Sequence, residues 1–313
     1  MNNLLVTCNH LSNEIDSFDK ELSSFNVRVP DDNPQTIKDE SMKLLLKDVD
    51  IAIIGDDIIN QVALSEANKL KHVIKWGVGF DNVELDSLKN KNISFYHTPG
   101  VFSDEVADLA LGFLLSIERG IHITDVNVRN GIWGPFKGRT LRNKVAGIIG
   151  LGSIGCAIND RLLGFGVKTI GHDPYIEPVS IEKVDLDILL TKSDYIFIAC
   201  NMSDENKELI NSETLEKIKE GSVIINISRG GLINENDLID SINSGKIRSV
   251  GLDVFNLEPP NPEIFLGQSS VFGSHGGSST VEAVHKINKA TITLARRILE
   301  GASYLDLPVK KIT

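Results

Sequence analysis

Cysteine is scarce in this sequence. The 313 residues hold only Cys8, Cys156 and Cys200, an odd number set far apart. No CxxC pair and no Cys/His cluster occurs, so neither a disulfide framework nor a zinc site is expected, and no metal is expected elsewhere. Positive charge is also in deficit. Lys and Arg number 32 against 43 Asp and Glu, for a formal net charge of -11 and a sequence pI near 5.2. That surface disfavours nucleic acid and anionic membrane as main partners. No apolar run approaches the length that spans a bilayer. No basic segment followed by an apolar one opens the chain at Met1, so a reducing cytoplasm is the expected home. Low-complexity tracts and solenoid periods are missing too.

What is present is the balance of an ordinary globular protein, 41% hydrophobic and 24% charged, with length enough for about two cores. Short β-type runs alternate with helical patterns. The expected strands are Leu4–Thr7, Ile51–Ile54, Val73–Lys75, Ile93–Tyr96, Ala146–Ile149, Val167–Gly171, Tyr195–Ala199, Val223–Asn226 and Ser249–Leu252. Most are apolar without alternation, as strands buried on both faces are. Helical patterns include Asp104–Glu118, Glu235–Ser244 and Val281–Leu299. This is βαβ grammar, and it predicts an α/β chain with two doubly wound parallel sheets. One domain is expected from residues 1–98 with 287–313, the last helix crossing back to complete it. The other is expected from 99–286.

A β-run ends directly in Gly150-Leu-Gly-Ser-Ile-Gly, and a helical pattern follows. Gly150 permits a tight turn, Gly152 lets a pyrophosphate approach the backbone, and Gly155 lets the helix pack on its strand. The N-terminus of that helix faces the phosphates. The next strand runs into His172-Asp173. An acid there accepts hydrogen bonds from ribose hydroxyls and repels the extra phosphate of NADP, so NAD is the expected cofactor. A lone glycine motif is weak. Strand before, helix after and acid at the next strand end make it specific.

Three ionisable residues follow later strands: Arg229 in Asn226-Ile-Ser-Arg-Gly-Gly, Glu258 in Gly251-Leu-Asp-Val-Phe-Asn-Leu-Glu-Pro-Pro, and His275 after Val271-Phe272. Ligands of open α/β sheets bind beyond the carboxyl ends of strands. Oxidising an alcohol needs a base as the hydride leaves, and His suits that task near neutral pH. A carboxylate orients the imidazole, and Arg forks onto a substrate carboxylate or polarises a 2-oxo group. His275 is therefore expected as acid/base, Glu258 as its partner and Arg229 as anchor and electrophile, with Asp253 beside the nicotinamide carboxamide. Each residue alone reads more simply as a loop or packing residue. The three in this order after a nucleotide motif do not. His97 and His172 sit beside these motifs with packing as the favoured role.

The blocks Gly77-Val-Gly-Phe-Asp-Asn-Val, Thr98-Pro-Gly, Gly150-Leu-Gly-Ser-Ile-Gly, Asn226-Ile-Ser-Arg-Gly-Gly and Gly251-Leu-Asp-Val-Phe with Glu258-Pro-Pro, taken in order, resemble the D-isomer-specific 2-hydroxyacid dehydrogenases. His275-Gly-Gly-Ser-Ser-Thr-Val-Glu-Ala is similar to the D-3-phosphoglycerate dehydrogenase branch in particular. The resemblance implies a flavodoxin-like substrate domain with an inserted Rossmann domain. It implies the same roles for Arg229, Glu258 and His275, and a substrate carboxylate held by the backbone of Gly77, Val78 and Gly79. Lys75 falls where relatives carry a basic residue near the substrate phosphate, and Lys137 and Arg139 are further candidates or plain surface charge. Cofactor contacts are implied for Gly150, Gly152, Ser153, Ile154, Gly155, Asp173, Cys200, Ile227, Ser228, Arg229, Asp253, His275, Gly276 and Gly277. A homodimer is implied, with the apolar residues of Val101–Arg119 supporting it.

Ser153 stands where Arg is usual, Ala199-Cys200-Asn201-Met202 where His-x-Pro-Leu is common, and His97 where Asn is usual. The sequence stops soon after the last helix, so no C-terminal regulatory domain is expected. The expected reaction is oxidation of D-3-phosphoglycerate with NAD. Its rivals are reduction of another 2-oxo acid, such as hydroxypyruvate or glyoxylate, and a non-enzymatic NAD sensor like the corepressors among the relatives.

Overall fold

The computed structural model describes residues 1–177, 180–261 and 269–313. They form two compact units, Met1–Phe102 with Ser279–Thr313, and Ser103–Ser278. Each has its own sheet.

In the first unit, strands β1 (Asn2–Val6), β2 (Phe25–Arg28), β3 (Ile51–Ile54), β4 (His72–Lys75) and β5 (Ser94–His97) pair in parallel in the order β2-β1-β3-β4-β5. That is the flavodoxin-like order. The central strand β3 is buried at all positions, which is why its run reads Ile-Ala-Ile-Ile with no alternation. Expectation missed β2, an edge strand whose only buried residue is Phe25. It also missed a later strand, Lys310–Lys311, which pairs antiparallel with β5 and is exposed at both positions.

The helix Val281–Glu300 closes this unit. Thr280 caps it through the Ala283 N–H at 3.1 Å, and Gly301 ends it at φ 64°. The expected boundary near residue 286 would cut through this helix. The structure instead divides at its cap, because a continuous helix buries one face, here Ala283, Val284, Ile287, Asn288, Thr291, Leu294 and Ala295, as a unit. The other boundary falls after Phe102, whose ring packs 5.4 Å from Trp76 in the same unit.

In the second unit the strands are β6 (Val145–Ile149), β7 (Lys168–His172), β8 (Glu182–Lys183), β9 (Tyr195–Ile198), β10 (Ser222–Asn226), β11 (Ile247–Leu252) and β12 (Val271–Phe272). The remaining strand of the first unit, Lys310–Lys311, is β13. The order β12-β11-β10-β9-β6-β7-β8 is parallel throughout. The sequence-adjacent direction reverses between β6 and β9, the switch point of a Rossmann sheet.

The helix Ser103–Arg119 covers one face of this sheet and buries Val106, Ala107, Ala110, Leu111, Phe113, Leu114 and Ile117, spaced three and four apart. Gly251 leaves room for it: a Cβ there would lie 2.8 Å from that of Phe113. Burying one such ring stabilises by about 1.5–3 kcal/mol. The apolar content of Val101–Arg119, expected to support a dimer, thus goes into the protein's own cores. The exposed apolar residues follow it instead: Ile121, Val126, Ile132 and Trp133, on and just after the helix Ile121–Arg129, which buries no residue.

Candidate active site

The dinucleotide turn begins where β6 ends. Gly150 sits at φ 96°, and a Cβ there would meet the Cys200 backbone at 2.5 Å. A Cβ on Gly155 would meet the Gly150 carbonyl oxygen at 2.0 Å, so only glycine lets the helix Ser153–Gly164 approach its strand this closely. Gly152, the residue before that helix, has nothing within 4 Å of its Cβ position. Two glycines are forced by packing and the third leaves open space before helical N–H groups, which is the cradle a pyrophosphate needs. The residues present therefore fit NAD.

Asp173 follows β7, and its carboxylate oxygens accept from the backbone N–H groups of Leu151 (2.9 Å), Tyr175 (2.8 Å) and Ile176 (3.0 Å). Burial alone would raise this carboxyl. The three N–H donors, with Lys183 nearby, outweigh it and hold Asp173 below the usual carboxylate range. Asp173 thus stays ionised and ties the glycine turn to the end of β7. A carboxylate has about four acceptor positions, so capacity remains for a ribose hydroxyl. Cys200 lies at the end of the neighbouring β9. Burial pushes its thiol up to about 11, and its carbonyl accepts from Ser228 Oγ.

Arg229 is held by its loop. Asn226, buried at the end of β10, donates from Nδ2 to the Arg229 carbonyl at 2.8 Å and accepts the Ser228 N–H at 3.0 Å. Arg229 Nη1 donates to the Ser228 carbonyl at 2.8 Å. Gly230 packs so tightly on the loop after β11 that a Cβ would lie 2.0 Å from the Phe255 carbonyl carbon. Arg229 and Glu258 therefore sit on loops in direct contact, after adjacent strands.

The structure joins Glu258 and His275. Glu258 Oε2 lies 2.8 Å from His275 Nδ1, and its Oε1 accepts the Phe255 N–H at 3.1 Å. Both side chains are about three-tenths exposed. His275 takes φ 56°, a left-handed conformation that costs a non-glycine residue about 1–3 kcal/mol. Asp253 holds the loop in that shape. Its carbonyl accepts the His275 N–H at 2.8 Å, and its carboxylate oxygens accept from Gly276 (3.0 Å) and Gly277 (2.9 Å). Burial drives the Asp253 carboxyl up, against those two donors. Asp253 was expected beside the nicotinamide. At 2% exposure, with its oxygens on the histidine loop, its visible task is to build that loop.

In the first unit, Gly77 follows β4 at φ 137°. Its N–H donates to Thr98 Oγ1 at 3.2 Å, and His97 Nδ1 lies 3.0 Å from the Val78 carbonyl. Lys75 is 2% exposed, and its Nζ donates to the Gly55 carbonyl at 2.5 Å and to Asp56 Oδ1 at 2.7 Å. Trp76 between them is pinned by Asn288, which accepts from Nε1 at 2.7 Å, and it stacks on His10 at 4.9 Å.

Sequence reasoning gave no role to Asn226, Thr98, Asn288 or Asp56. The first two lie inside quoted motifs, and a polar residue at the end of an apolar strand is the signal that marks Asn226. Asn288 and Asp56 carry no local signal. Among the described residues no cluster of His, Cys, Asp and Glu could hold a metal, and no helix is long and apolar enough to cross a membrane.

Residues 111–275 match the family described as D-isomer specific 2-hydroxyacid dehydrogenase, NAD binding domain. The chain is similar to a hydroxypyruvate reductase of Thermotoga maritima, 37% identical over 80% of this chain and 84% of that protein. It is also similar to a D-3-phosphoglycerate dehydrogenase of Methanocaldococcus jannaschii, 33% identical over 82% of this chain but only 51% of that protein. The apo-structure of D-lactate dehydrogenase from Escherichia coli superposes with a TM-score of 0.83 at 25% identity, covering 100% of both chains. With the glycine cradle and the Glu258–His275 pair in place, these likenesses settle the family: the chain belongs to the D-isomer-specific 2-hydroxyacid dehydrogenases and is an NAD-dependent oxidoreductase.

Proposed function

We propose that this chain interconverts a small unphosphorylated 2-hydroxy acid and its 2-oxo acid, of the hydroxypyruvate or glyoxylate kind, with His275 carrying the proton. The observation that supports it most is the 2.8 Å contact from Glu258 to His275 Nδ1. It keeps Nδ1 occupied as a donor, so Nε2 is the nitrogen that faces substrate in this reading. In oxidation Nε2 accepts the hydroxyl proton; in reduction it returns it to the oxygen at C2. Bound NAD supplies the hydride acceptor, and NADH the donor. The N-terminus of the helix Ser153–Gly164 and Gly152 hold the pyrophosphate, with Ser153, Ile154, Cys200, Ile227, Ser228, Gly276 and Gly277 around the cofactor. Arg229 forks onto the substrate carboxylate and draws charge from the C2 oxygen. In the Gly77–Gly79 loop, which the resemblance gives to the substrate carboxylate, the Gly77 N–H is engaged by Thr98, so that role falls to the Val78 and Gly79 amides.

Lys75 moves the substrate reading away from 3-phosphoglycerate. A phosphate partner should offer unpaired positive charge at a wet surface. Lys75 is buried and already bonded to Asp56 and Gly55. The exposed Ile121, Val126, Ile132 and Trp133 support the expected homodimer.

The test is a panel of 2-oxo and 2-hydroxy acids followed by nicotinamide absorbance. Hydroxypyruvate or glyoxylate should turn over with NADH. The substitution His275→Ala should lower kcat by about 10²–10⁴-fold while NADH still binds. Turnover that survives this change would remove His275 from the chemistry. A wild-type protein that binds NADH but turns over no acid would favour the sensor reading.

A further inference from the structure

The end of β3 and the end of β4 lie side by side in the first unit. Ile54 pairs with Lys75 in register, and the Trp76 N–H donates to the Ile54 carbonyl at 2.9 Å. Two residues further along each strand stand Asp56 and Gly77. Lys75 Nζ links them: it lies 2.7 Å from Asp56 Oδ1 and 3.9 Å from where a Gly77 Cβ would stand. The pair is lopsided. The Lys75 side chain is 2% exposed, whereas that of Asp56 is 39% exposed. Of the two charged ends, the carboxylate is the one that solvent reaches.

Asp57, Cys8, His10 and Glu14 stand around the pair. Asp57 is fully buried next along the chain and accepts from Thr7 Oγ1, Ile37 N–H and Gly55 N–H. Burial keeps the Cys8 thiol neutral, pushed up to about 12. His10 is half-buried, and desolvation holds its imidazole below the usual range, against the nearby acids Glu14 and Asp56. Burial drives the Asp57 carboxyl up, and Asp56 is the acid that pairs with Lys75.

We propose that Asp56 is a specificity residue of the substrate site: it neutralises Lys75 and faces the substituent on C3 of the acid, so that a hydroxyl is accepted there and a phosphate is repelled. This rests on the reading that the substrate carboxylate sits on the Gly77–Gly79 loop. A phosphate adds about two negative charges at neutral pH, and like charges brought together across a partly desolvated surface repel strongly enough to discriminate. A hydroxyl instead donates a hydrogen bond to the carboxylate, a charge-assisted contact.

The experiment compares kcat/KM for hydroxypyruvate and 3-phosphohydroxypyruvate in the wild type, in Asp56→Asn, and in Asp56→Asn with Lys75→Met. The wild type should favour hydroxypyruvate. In Asp56→Asn the ratio should shift toward the phosphorylated acid by about tenfold or more, because the lysine charge is released. Removing that charge as well, in the double variant, should cut the shift back to the part that comes from lifting the carboxylate's own repulsion. An unchanged ratio in Asp56→Asn, or a shift as large without Lys75 as with it, overturns the proposal. Calorimetric titration with 3-phosphoglycerate in the presence of NADH reads the same discrimination without turnover. If no acid is turned over but Asp56→Asn still gains affinity, the catalytic reading fails and the charge reading stands. If turnover is normal and affinity is unmoved, the reverse holds. Thermal melting of each variant shows whether Lys75, once unpaired, still leaves a folded protein.

Discussion

The residues with the clearest chemistry are also those most dependent on neighbours. Glu258 reaches His275 on a loop that Asp253, the residue after β11, shapes by accepting from the N–H groups of Gly276 and Gly277. Replacing Glu258 with Gln keeps an oxygen for Nδ1–H but removes the charge. We expect kcat to fall by about 10²-fold with a smaller change in KM, measured by steady-state kinetics on whichever acid turns over. Asp173 allows a prediction about pH. Its folded value lies below the usual carboxylate range, so its contribution to stability is complete above about pH 4 to 5 and is lost as pH falls through the folded value. Asp173→Asn should therefore melt lower than the wild type at pH 7, and the gap should close as the pH is taken toward 3. A gap independent of pH would mean that the carboxylate charge plays no part. Arg229, Glu258, His275 and Asp173 were all legible as residue types at strand ends. The loop-building work of Asp253 was not, because it needs Gly276 and Gly277 folded back onto it.

At the scale of elements, the strand–turn–helix from β6 through Gly164 separates packing from binding. Gly155 carries a packing constraint, with a Cβ position 2.0 Å from the Gly150 oxygen, and Gly152 carries none. Gly155→Ala should lower both the melting temperature and NADH affinity. Gly152→Ala should melt like the wild type, since its φ of -69° suits any residue, and yet bind NADH at least about tenfold more weakly. Fluorescence titration with NADH and thermal melting read the two effects separately. A Gly152→Ala protein with undiminished affinity would show that no phosphate approaches there. The elements themselves were legible where burial is two-sided, as at β3, β9 and β10, whose central residues are all apolar. Strands β2, β8 and β13 escaped because edge strands bury one residue or none and so carry no apolar run.

For the whole molecule, two units with separate sheets imply that a ligand held by one stabilises that one directly. NADH at saturating concentration should slow amide exchange around Gly150–Ser153 and Asp173 more than in β1 and β2, as mass spectrometry of exchanged peptides would show. Equal protection everywhere would point to a single cooperative body.

Local order was written in the chain itself: apolar runs, glycine spacing and polar strand ends set which segments become strands, where the phosphate turn lies, and which arginine, glutamate and histidine stand at strand ends. Those features depend on residues a few positions apart, whose steric and hydrophobic demands are met within one element. Folding decided the rest. It divided the units at the cap of Val281–Glu300, placed the apolar face of Ser103–Arg119 inside a core, and put the Lys75 ammonium against Asp56. Charge balance and burial depend on atoms that only a folded chain brings together, so a lysine that reads as an anion's partner becomes, in its surroundings, already matched.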